Sequence, residues 1–141
     1  MKSNNSKTSK NSIMDTYSTI YFVDIVVANK NVTLEELKEL YIYPDGVELD
    51  GDLLDGDATT STVIRKSDNK ACVLVKYNHP CKIVGLNKSA DFINTISHEA
   101  THIALDIYEY IHQNVCFCSQ EPFCYLQGYA AECIYKTLTK K

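Results

Sequence analysis

Residues 98–102 read His98-Glu99-Ala100-Thr101-His102. Two histidines four apart project from the same side of a helix, where both imidazoles can bind one divalent ion. Zinc is the ion this ligand pattern suits. The glutamate between them is placed to accept a proton from a water that the zinc activates. The chemistry expected of this pattern is therefore metal-assisted hydrolysis, with His98 and His102 as metal ligands and Glu99 as the general base.

That chemistry requires a helix, and the surrounding residues supply one. The stretch Ser89–Gln113 lacks Gly and Pro. Its apolar residues Phe92, Ile93, Ile96, Ala100, Ile103, Ala104, Ile107 and Ile111 fall on one stripe at about 100° per residue. His98, His102 and Glu109 lie on the opposite side. The helix is expected to bury the stripe and turn its histidines toward a cleft, with Ser89 or Asp91 capping its start.

The rest of the chain reads as one small domain. It has 141 residues, 45% of them hydrophobic, enough for a single core. The net charge of −4, from 14 basic and 18 acidic side chains, argues against nucleic-acid binding. Residues 1–13 read as a disordered polar tail without the apolar region of a secretory signal, and 14–141 as the folded domain. No apolar run is long enough to span a bilayer, so a cytoplasmic protein without a membrane partner is expected. Without an export signal the six cysteines are expected to be reduced. Cys72, Cys124 and Cys133 read as small buried hydrophobes. Cys116 and Cys118 have no second pair with which to hold a metal.

Tyr17–Ala28 reads as a strand, and Thr33-Leu34-Glu35-Glu36 as a capping box opening a helix to about Leu40. Tyr41–Asp57 is a loop, with a short strand near Val47–Leu49. Its aspartates Asp50, Asp52, Asp55 and Asp57 lack EF-hand spacing and read as a solvated turn. Thr59–Arg65 and Ala71–Tyr77 form a β-hairpin across Ser67–Lys70, and Lys82–Val84 is a possible further strand. A loop over Asn114–Gln120 leads to a last helix, Pro122–Leu138. The order predicts an α+β domain: a small twisted, mostly antiparallel sheet packed against two long helices.

A catalytic zinc takes three protein ligands. Asp106 continues the i, i+4 series, but three such side chains span roughly 12 Å of a straight helix and do not converge. Asp106 is better placed to hold the His102 ring. Glu109 lies about 10 Å along the axis from His102, and His112 roughly 21 Å from His98. His79 precedes the helix and at most lines the cleft. The metzincin pattern is excluded, because Leu105 and Tyr108 stand where its glycine and third histidine belong. That leaves a glutamate of the last helix, Glu121 or Glu132. Simple hairpin geometry leans to Glu132, while Pro122 marks Glu121 as the start of that helix.

The pair His98-Glu99-Ala100-Thr101-His102 and Glu121-Pro122-Phe123-Cys124-Tyr125 resembles the gluzincin branch of zinc metallopeptidases, in particular its ImmA/IrrE-like members. It is also similar to small zincin-like proteins of bacteriophages that carry an E-P-F-x-Y-L segment. The resemblance covers about Ile83–Leu138. It implies a minimal zincin-like fold, a zinc ion, a peptide or protein substrate, and Glu121 as the third ligand with Glu132 as the alternative. The implied activity is peptide hydrolysis, with Glu99 as base and a tyrosine such as Tyr125 or Tyr129 as a plausible donor to the oxyanion. The other implied possibility is a metal-binding zincin-like domain that docks on a protein without cleaving it.

Overall fold

The computed structural model describes residues 11–79 and 86–140, and for 86–89 the backbone alone. Five strands form one sheet: β1 (Met14–Tyr17), β2 (Asp24–Ala28), β3 (Tyr41–Ile42), β4 (Ala58–Arg65) and β5 (Ala71–Tyr77). Their order is β1-β2-β5-β4-β3. Only β2 and β5 pair in parallel; β1–β2, β4–β5 and β3–β4 are antiparallel. Three helices accompany the sheet: α1 (Leu34–Leu40), α2 (Leu86–Tyr110) and α3 (Glu121–Leu138). The protein is thus α+β with a mixed sheet.

The central strands explain the layering. β2 (DIVVA) and β5 (ACVLVKY) are buried along their whole length, as near-continuous apolar runs covered on both faces should be. Alternate side chains then serve two cores. Val23, Ile25, Val27, Val73 and Val75 pack with Ile103, Ile107, Leu126 and Ile134 of α2 and α3. Val26, Leu74 and Cys72 pack on the other face with Leu37, Tyr41, Leu49 and Leu53. The second face is closed by α1 and a 3-10 turn (Gly51–Leu54). Lys76 interrupts the apolar run, yet it is fully buried. Its ammonium donates to the carbonyls of Asn29, Lys30 and Tyr77 and to Asn78 Oδ1 at 2.9–3.4 Å, the partners a buried cation needs. Burial pushes its pKa down.

Several expectations change. Tyr17–Ala28 is two strands rather than one. The chain reverses between them, where Thr19 Oγ1 donates to the Val23 carbonyl at 2.6 Å and Phe22 takes φ +60°. The turn is built by a side-chain hydroxyl, so the apolar composition gives no sign of it. The capping box at Thr33 forms in full, with Glu36 N to Thr33 Oγ1 at 3.2 Å and Thr33 N to Glu36 Oε2 at 2.7 Å. Near Val47–Leu49 only an isolated bridge, Ile42 with Glu48, is present. α2 runs from Leu86, so Ser89 and Asp91 lie inside the helix rather than at its start. Ile93, counted in its buried stripe, is 66% exposed. Cys124 is exposed, while Cys72 and Cys133 are buried and burial pushes both thiols up to about 11. The expected strand Lys82–Val84 and residues 1–10 of the tail fall outside the described residues. Asn11 and Ile13 are hydrogen-bonded to Asn29 and Asn31. Among the described residues no helix is long and apolar enough to cross a membrane.

Candidate metal centre

α2 is anchored by its apolar stripe, with Ala100, Ile103, Ala104 and Ile107 almost wholly buried. That anchoring turns His98 and His102 outward, where both are exposed. Their Nε2 atoms are 3.2 Å apart, and the rings meet edge to face at 4.8 Å. Two imidazoles bound to one tetrahedral zinc at about 2.0–2.1 Å would hold their nitrogens about 3.3 Å apart. The same separation also suits a single shared proton, with the donor set by the tautomer. By donor type and spacing, this pair fits zinc.

Glu99, one residue round the helix, turns under toward the sheet and is only 6% exposed. Thr60 of β4 donates its hydroxyl to Glu99 Oε2 at 2.5 Å. Asp106 is half-buried, and burial raises its pKa while the nearby His102 opposes that shift.

A cavity of about 280 Å³ opens in front of the three motif residues. Its other walls are Tyr43, Asp52 and Leu53 and the start of β4, from Ala58 to Ser61. The 3-10 turn is pinned there. Leu53 is buried beneath it, and its carbonyl accepts from Thr59 Oγ1 at 2.8 Å and Asn78 Nδ2 at 3.2 Å. Asp50 caps the turn through the Asp52 amide at 3.0 Å. The acidic loop is therefore partly structural, and it delivers Asp52 to the cavity wall. Nothing in the spacing of its aspartates signals this, because the delivery depends on Leu53 entering the core on the α1 face of the sheet.

Glu121 does not lie with the histidines. α2 and α3 run antiparallel, with Tyr108 against Phe123 (5.2 Å between ring centroids), Thr101 bonded to Gln127 (2.7 Å) and Phe92 against Tyr135 (6.3 Å). Gln127 is the α3 residue level with the histidine pair. Glu121 is about 9 Å from that level along the helix, and Glu132 about 7.5 Å on the other side. Glu132 pairs with Lys136 at 2.6 Å. Glu121 is exposed and lines a different cavity, of about 510 Å³, with Ser18–Tyr21, Pro122, Tyr125, Leu126 and Tyr129. The tyrosines considered as oxyanion donors therefore face that second cavity. His79 pairs with Asp57 at 3.2 Å. Among the described residues no three His, Cys, Asp or Glu side chains gather as a group able to hold a metal ion. No family model, curated protein or solved structure matches this chain.

Proposed function

We propose that the protein is a zinc-dependent hydrolase that cleaves peptides. The observation that carries this is the convergence of two imidazole nitrogens 3.2 Å apart beside a buried glutamate. His98 and His102 would hold the ion. For the third ligand the resemblance points to Glu121, which lines the other cavity and would have to approach the histidines to serve. Its carboxylate has no ion pair among the described residues, whereas Lys136 occupies Glu132. When bound, zinc supplies a Lewis acid that brings the pKa of water toward neutrality. Glu99 takes the proton of the attacking water and returns it to the leaving amine. The strand β3 meets β4 only at Ile64 and Arg65. From Ala58 to Val63 the outer edge of β4 has no strand against it among the described residues. An extended peptide adding to that edge would pass directly in front of Glu99.

A second reading, a metal-binding domain that docks on a protein without cutting it, draws on one observation. Ile20 and Phe22, each 85% exposed, stand at the turn that lines the larger, apolar cavity. Glu99→Gln separates the two. A peptidase should keep its zinc and lose about 10²–10⁴-fold in turnover; a docking domain should lose neither metal nor partner. Zinc-dependent turnover that survives Glu99→Gln would reject the proposed role of Glu99.

A further inference from the structure

Thr60 faces α2 from β4, on the same side of the sheet as Ala58 and Ile64, which pack against the core shared with α2 and α3. Its backbone is fixed by pairing with Val75 of the fully buried β5. Its β-branched side chain is stiff about χ1. The 2.5 Å hydrogen bond to Glu99 Oε2 lies at the short, charge-assisted end for a hydroxyl on a carboxylate. Neither neighbour can replace this donor. The Thr59 hydroxyl is committed to the Leu53 carbonyl, and Ser61, one residue on from Thr60, points to the other face by strand alternation.

A glutamate on a helix has three rotatable bonds, and a general base works only in the rotamer that meets its proton. Glu99 has one oxygen tied to a rigid strand. The cavity wall includes Glu99 itself and both histidines. We propose that Thr60 is a positioning residue: its hydroxyl locks the Glu99 carboxylate so that Oε1 alone is presented to the attacking water. This rests on the hydrolase reading and adds to it the sheet's part in the reaction. The plainer account is that Thr60 merely satisfies a buried carboxylate. The two differ in what the hydroxyl does for turnover.

The test compares Thr60→Val, which keeps the shape and removes the donor, with Thr60→Ser, which keeps the donor. Zinc content, thermal midpoint, and kcat and KM on fluorescein-labelled casein are measured for full-length protein. The expected result is that Thr60→Val binds one zinc, keeps its KM within about twofold and loses about 10–100-fold in kcat, while Thr60→Ser stays within about threefold of the parent. Crystal structures should show Glu99 in one rotamer in the parent and in Thr60→Ser, and in several in Thr60→Val. If Thr60→Val is too unstable to purify, Thr60→Ala takes its place with the same readouts. A kcat within twofold of the parent for the donor-less variant, an equal fall in Thr60→Ser, or an unmoved Glu99 rotamer would overturn the proposal. A parallel Glu99→Gln sample keeps the two claims apart. If Glu99→Gln is inert while Thr60→Val is fully active, only the role of Thr60 is wrong. If Glu99→Gln keeps its turnover, the hydrolase reading fails first.

Discussion

The cavities beside the paired helices differ in chemistry, and the apolar one at the start of α3 is larger than the one beside β4 yet holds less. The apolar cavity at the start of α3 measures about 510 Å³ and offers Tyr and Leu side chains with a single carboxylate, Glu121. The cavity beside β4 is about 280 Å³ and gathers two imidazoles, a buried carboxylate, a threonine hydroxyl and Asp52. Volume alone would favour the first site. The density of groups able to bind a cation or move a proton favours the second. The contrast follows from how α2 is buried. Its apolar stripe faces the sheet and α3, so the helix turns His98 and His102 to the side that β4 borders.

The largest expected effect tests which cavity holds the metal. His98→Ala or His102→Ala should take zinc content from near one per chain to near zero by elemental analysis of freshly purified protein, because one remaining imidazole is a poor zinc site. Neither change should shift stability by more than about 0.5 kcal/mol in the metal-free protein, since both side chains are exposed. Zinc retained in both variants would move the metal out of the β4 cavity and dissolve the contrast.

The next effect lies on the opposite face of the same helix. Ile103 is wholly buried among β2, β5 and α3 residues. Ile103→Ala should cost about 2–5 kcal/mol in urea unfolding, through lost burial and the void left behind. Zinc content measured well below the unfolding midpoint should remain near one per chain. A mild loss, below about 1 kcal/mol, would mean that α2 is not held as described and that the histidine geometry depends on something else.

The third effect asks whether Glu121 crosses from one cavity to the other. Replacing a residue that only orients a ligand costs about 10–100-fold in metal affinity, so losing a ligand should cost about 100-fold or more. Glu121→Gln should therefore weaken zinc binding by at least that factor in a competition titration, and Glu132→Gln should change it less than about threefold. The reverse order would reassign the ligand. Equal, small effects would leave zinc on two imidazoles and a donor from the β4 side, where Asp52 stands.

What was legible in the sequence divides along the same line. Features set by near neighbours could be read directly: the Thr33 capping box, the β4–β5 hairpin and the outward histidine side of α2 each depend on residues within about four positions or on one repeated spacing. Features set by distant partners could not. The reversal at Ser18–Val23 rests on a hydroxyl-to-carbonyl bond inside an apolar run. Asp52 reaches the cavity because Leu53 is buried against α1-side residues. Thr60 meets Glu99 across 39 positions of sequence. The register of α3 on α2 is fixed by Tyr108, Phe123, Phe92 and Tyr135. No periodicity within either helix specifies that register, which is why two glutamates competed for one role.

The smallest expected effect concerns the apolar cavity itself. Tyr125 is 74% exposed there, and Tyr129 closes the wall by donating its hydroxyl to the Ser18 carbonyl at 2.9 Å. If the two cavities are chemically separate, Tyr125→Ala should leave zinc affinity unchanged, shift stability by about 0.5 kcal/mol or less, and leave kcat within twofold. A tyrosine that donates to a developing oxyanion behaves differently, since losing such a donor lowers kcat about 10²–10³-fold. A fall of that size in Tyr125→Phe, which removes only the hydroxyl, would show that the two cavities act as one site during turnover. It would also require the first turn of α3, and Glu121 with it, to approach the histidines.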